Sequence, residues 1–98
     1  MTTPKENTVQ TPPDDIRSHI VRIVLASAEG DLAEQDLAAA NWSLAGVSYS
    51  SLAYIRMIDT IENELGVYLD PEEESDRFET VDSLVDLVVQ HLRESADA

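Results

Sequence analysis

Cysteine is absent from this 98-residue chain, so neither a disulfide frame nor a thiolate metal site is available to it. Basic side chains are scarce. Six Lys and Arg stand against 20 Asp and Glu, a formal net charge of −14. A chain this acidic repels nucleic acid and anionic membrane surfaces and attracts basic protein surfaces. No apolar run approaches the roughly 20 residues that a membrane-spanning helix needs, and Met1 to Gln10 lacks the apolar centre of a signal peptide. A cytoplasmic protein is expected. The two histidines, His19 and His91, fall on separate predicted helices, so no metal site is expected from them. Asp70 to Asp76 is acidic, but its carboxylates do not alternate ahead of the glycine that a calcium loop requires. There is no phosphate-binding glycine loop and no clustered histidine, hence no visible catalytic constellation, and the chain reads as a non-enzyme.

Hydrophobic residues make up 43% of the chain, enough for one modest core in a single domain. Residues 1–10 are polar and are predicted to be a flexible tail, with a domain over 11–94 and a second flexible tail over 95–98. Thr11-Pro12-Pro13-Asp14 reads as a helix start, with Thr11 as cap and Pro12 in the first helical position. Ile16, Ile20, Ile23 and Val24 recur on one face and predict a first helix to about Ala28. Asp31 to Ala40 is predicted to hold a short helical turn with Leu32 and Leu37 inward. Asn41 to Tyr49 reads as a long loop that buries Trp42, Leu44 and Val47. A second main helix follows. Leu52, Ile55, Ile58, Ile61, Glu62 and Leu65 fall at spacings of three or four, Ser50 is a suitable N-cap, and Gly66 a suitable stop. Thr80 caps a last helix with Val81, Leu84, Val85, Val88 and Leu92 inward. No strand pattern and no internal repeat is present. The sequence therefore predicts an all-α bundle of three main helices plus a short helix or turn.

One junction stands out. Gly46-Val47-Ser48-Tyr49-Ser50-Ser51-Leu52 is a glycine-containing loop that delivers a serine to the first turn of an amphipathic helix. A helix-start serine alone is an ordinary feature. Here it coincides with two further segments. The same helix ends in an acidic stretch followed by Gly66-Val67-x-Leu69, and the last helix follows Phe78-Glu79-Thr80-Val81-Asp82-Ser83-Leu84. Together, over about residues 13–92, these resemble the acyl or peptidyl carrier protein family.

The resemblance implies an acyl-carrier-protein-like bundle with a long loop before the second main helix. It implies that Ser51 carries a covalent 4′-phosphopantetheine arm derived from coenzyme A, on which substrates ride as thioesters. Ser48 and Ser50 are the neighbouring alternatives. The family usually has Asp-Ser-Leu at the modified serine, whereas here Ser50 precedes Ser51; serine caps a helix nearly as well as aspartate. A literal Asp-Ser-Leu occurs at Asp82-Ser83-Leu84, but no glycine-bearing loop precedes it, and Leu84 belongs to the inward stripe. An anionic phosphodiester suits a helix N-terminus, where free N–H groups and the macrodipole favour negative charge. Neither histidine lies near the loop, so the activating base belongs to the modifying enzyme.

The implied partners are a phosphopantetheinyl transferase and loading or acyl-processing enzymes of the adenylation, acyltransferase or ketosynthase type. Ser50, Leu52, Tyr54, Ile55, Arg56, Asp59 and Glu62 are the candidate contact residues, with Leu52, Tyr54, Ile55 and the loop apolars expected to line a shallow groove. Arg56 stands where the family commonly has an acid; pairing with a nearby acid such as Asp59 or Glu62 is expected, the alternative being a specificity mark for a dedicated partner. Glu72-Glu73-Glu74 is assigned to solubility. The expected function is a monomeric, freestanding carrier protein of polyketide or nonribosomal-peptide-type biosynthesis. The alternatives are a carrier of fatty-acid synthesis and an unmodified acidic interaction module of the same fold.

Overall fold

A computed structural model describes residues 13–97 of the chain. The predicted N-terminal tail and the Thr11-Pro12 start signal lie outside the described residues. Four α-helices follow in order: α1 Pro13–Ser27, α2 Glu34–Ala39, α3 Ser51–Leu65 and α4 Val81–Asp97. Short 3-10 turns at Ala45–Val47 and Ser75–Phe78 interrupt the two long connections. Three long helices plus one short one match the all-α expectation. The backbone of α4 stays helical to Asp97, past the boundary expected at Glu94. No proline or glycine in Glu94-Ser95-Ala96-Asp97 stops it.

The helix α1 packs on both α3 and α4, so its buried face is broad. Ile16, Ile20, Ile23 and Val24 are buried as expected, and Val21 joins them. Leu37 anchors α2, and Leu44 enters the core from the long loop. The other two loop apolars, Trp42 and Val47, are only half-buried. On α4, Val81, Leu84, Val85 and Val88 point inward with Leu87, while Leu92 is half-buried. Thr80 caps this helix: its Oγ1 accepts from the Ser83 N–H at 3.1 Å, and Ser83 Oγ accepts from the Thr80 N–H at 3.3 Å.

The buried face of α3 differs from the expected stripe. Ala53, Met57 and Ile61 form the seam, spaced by four, with Tyr54, Ile58 and Leu65 on its flanks. Leu52 and Ile55 are instead exposed, at 45% and 63%. Leu52 and Ile55 are apolar too and fall at helical spacing with Ile58, so periodicity admits a stripe through either set; docking against α1 buries the one through Ala53, Met57 and Ile61. Gly66 closes the helix in the left-handed region at φ 70°, its N–H bonded to Glu62 O at 3.0 Å.

The long loop is pinned to the start of α4. Leu44 N–H donates to Glu79 O at 3.0 Å and Val81 N–H donates to Trp42 O at 2.9 Å, around an isolated Ser43–Thr80 bridge. Asn41 and Trp42 both adopt left-handed backbone, at φ 58° and 62°. For a bulky residue this costs about 1–2 kcal/mol. The Trp42 N–H donates to Leu37 O at 2.8 Å, and the Arg17 guanidinium lies 4.7 Å from its ring centroid; these contacts offset the strain. Arg17 also pairs with Asp82 at 2.5 Å, joining α1 to α4. Trp42 thus packs partly as a platform for a cation of the protein itself.

The acidic connection after α3 is more ordered than a solvated run. Asp70 Oδ1 accepts from the Glu72 and Glu73 N–H groups at 3.1 and 3.3 Å. Glu74 Oε1 accepts from the Asp70 N–H at 3.0 Å, while its other oxygen lies 3.1 Å from His91 Nε2 on α4. Glu74 therefore ties the connection to α4, which corrects its assignment to solubility; Glu72 and Glu73 are exposed.

Candidate functional site at the start of the third helix

The approach to Ser51 is held from both sides. In the loop, Ser43 Oγ accepts from the Gly46 N–H at 3.0 Å, and a Cβ on Gly46 would sit 3.0 Å from Ala40 Cβ. A side chain there would press on Ala40, just past the end of α2. Ser48 takes the left-handed conformation at φ 58° and turns the chain toward α3. Tyr49 then reaches across to α1, its hydroxyl donating to Val24 O at 2.7 Å. The Tyr49 and Tyr54 rings meet edge to face, with centroids 5.0 Å apart at 86°. Burial pushes the Tyr49 phenol up to about 12, against a smaller opposing effect of its hydrogen bond with Ser27. Burial also raises Tyr54, reinforced by the charge of Glu79.

Ser50 is the N-cap of α3. Its backbone is extended, and its Oγ accepts from the Ala53 N–H at 3.0 Å while donating to the Glu29 carboxylate. Ser51 is the next residue, the first of the helix, and it is exposed. Among the described residues its hydroxyl has no hydrogen-bond partner. Ser83, in the literal Asp-Ser-Leu, is placed differently. It is half-buried, and its Oγ donates to Arg77 O at 2.9 Å within the capping network of α4.

The remaining candidates separate into three groups. Leu52, Ile55, Arg56 and Asp59 are exposed on α3, at intervals that place them on one side of the helix. Among the described residues Arg56 has no ion pair, which corrects the expected pairing with Asp59 or Glu62; Asp59 Oδ2 instead accepts from the Asn63 amide at 3.4 Å. Glu62 is half-buried, and its Oε2 accepts from the Leu69 N–H at 2.9 Å, fixing the chain beyond Gly66. Tyr54 is half-buried in the flank of the core.

Two concave surfaces flank the start of α3. One, of about 350 Å³, is lined by Glu29, Leu32, Val47, Ser48, Tyr49 and Ser50. The other, of about 240 Å³ and mainly apolar, lies between Tyr54, Ile58, Pro71, Phe78 and Glu79. Of the residues expected to line a groove, Val47 lines the first of these surfaces and Tyr54 the second, while Leu52 and Ile55 line neither. The Tyr49 anchor and the Glu29–Ser50 contact carried no sequence signal, because each joins residues more than 20 positions apart.

Among the described residues no helix is long and apolar enough to cross a membrane. The chain matches no family model, no curated protein and no solved structure.

Proposed function

We propose that this chain is a carrier protein, with Ser51 as the attachment point of a 4′-phosphopantetheine arm. One observation carries the reading among the rival serines: Ser51 offers an exposed hydroxyl with no partner among the described residues, at the first position of a 15-residue helix, while Ser50 and Ser83 spend theirs on internal contacts. Ser48 is exposed too, but it lies in the turn before the helix. The three sequence segments that resemble the carrier family fall at a loop-to-helix junction, at the end of the same helix, and at the start of the last one.

The site fits the group in outline. The N-terminus of α3 favours the negative charge of a phosphodiester. The Glu29 carboxylate, exposed and held on Ser50, opposes that charge. Serine is a poor nucleophile, and among the described residues the Ser51 hydroxyl is hydrogen-bonded to no base, so deprotonation falls to the transferase, which supplies Mg²⁺ and coenzyme A. When bound, the arm supplies a thiol that holds an acyl, aminoacyl or peptidyl group as a thioester. The chain's own part is to present Ser51 on a rigid junction and to offer the exposed side of α3, Leu52, Ile55, Arg56 and Asp59, to basic partner surfaces. The departures of Ser50 and Arg56 from the pattern of fatty-acid carriers favour a role in polyketide or nonribosomal-peptide-type biosynthesis.

The test is intact-mass measurement after incubation with coenzyme A, Mg²⁺ and a broad-specificity phosphopantetheinyl transferase. A gain of one phosphopantetheine, lost in Ser51→Ala, is expected. No gain on folded protein would favour the unmodified interaction module, for which the exposed Leu52 and Ile55 are the supporting observation.

A further inference from the structure

On the face where α1 meets α3, Arg22 and Arg56 line one cleft of about 400 Å³. Both are exposed, and among the described residues neither has a carboxylate in salt-bridge range. In a chain with 20 acidic and 6 basic residues, that is an unusual expense of positive charge. Arg17 makes the contrast, since it pairs with Asp82 and stacks on Trp42. Glu64 also lines the cleft, with its Oε1 2.6 Å from His19 Nε2. Ile23 and Ala26 supply an apolar wall between the charged groups.

We infer that this cleft binds a carboxylate, and, resting on the carrier reading, that it seats the free carboxylate of a dicarboxylic acyl group held on the Ser51 arm. Two guanidiniums on separate helices can each donate paired N–H bonds to one carboxylate. A monoanion is favoured over a phosphate dianion, because Glu64 and the surrounding charge of −14 oppose the second negative charge. The aliphatic part of such a group fits against Ile23 and Ala26. Arg56 lies five residues beyond Ser51, about 7.5 Å along the helix axis, within the span of an extended arm.

The experiment uses the full ¹⁵N-labelled chain, loaded by the transferase from succinyl- or butyryl-coenzyme A. Intact mass reports loading, and backbone amide and arginine Nε–H shifts report the cleft. The succinyl form is expected to move Ile23, Ala26 and the two guanidinium signals, the butyryl form, with a methyl in place of the carboxylate, to leave them in place, and Arg22→Gln or Arg56→Gln to abolish the difference. In parallel, S-succinyl-pantetheine is titrated into the unloaded chain, where each Arg→Gln is expected to weaken binding about tenfold. Loading without any succinyl-specific shift, or shifts indifferent to both substitutions, overturns the inference and leaves the carrier reading standing. Failed loading with arginine-dependent binding of the free compound overturns the carrier reading and supports the carboxylate site. Failure of both removes both.

Discussion

Tyr49→Phe tests how the loop before Ser51 is held. The substitution keeps the ring and its edge-to-face contact with Tyr54, and removes only the hydroxyl that donates to Val24 O at 2.7 Å. A half-buried neutral hydrogen bond is worth about 1 kcal/mol net, or a Tm lower by about 4–8 °C in a domain of this size. The raised phenol pKa adds a sign. Between pH 10 and about 12 the unfolded chain ionises Tyr49 while the folded chain keeps it protonated. The unfolded state then binds fewer protons, so stability falls as pH rises through this window. A fully buried group with this shift would lose about 2.7 kcal/mol; solvent at the open edge of Tyr49 screens the effect, and about 1 kcal/mol is expected. Urea unfolding of both proteins at pH 8 and pH 11 measures the difference. The other tyrosines are common to both proteins, so their contributions cancel. The wild type should lead by about 1 kcal/mol at pH 8 and by almost nothing at pH 11. An equal lead at both values refutes the burial argument, and no lead at pH 8 refutes the anchor itself.

Met57→Ala removes a fully buried side chain from the α3 seam and should cost about 2–5 kcal/mol in denaturant unfolding, whereas Ile55→Ala on the exposed side should change stability by less than about 0.5 kcal/mol; equal costs would show that the buried face is misassigned. Ser83→Ala should lower stability by about 1 kcal/mol through the cap of α4, yet leave the phosphopantetheine mass gain intact; loss of the gain in folded protein would move the site away from Ser51.

Most of the helical frame was legible because it rests on local chemistry. The caps at Ser50 and Thr80, the left-handed stop at Gly66, and the apolar faces of α1 and α4 depend on neighbours within one or two turns. The position of Ser51 at the head of α3 follows from the same rules, so it was readable without coordinates. The orientation of α3 was not. Leu52 and Ile55 are as apolar as Met57 and Ile61, and only packing against α1 decided which pair is buried. Contacts between distant residues were equally hidden: Tyr49 with Val24, Glu29 with Ser50, and Glu74 with His91, as was the cleft that Arg22 and Arg56 share. Local sequence chose where helices start and stop because hydrogen-bond closure and capping act over a few residues. Which side chains share a cleft, which carboxylates become structural, and which hydroxyl is left free depend on how the helices dock, and that was decided by the core as a whole.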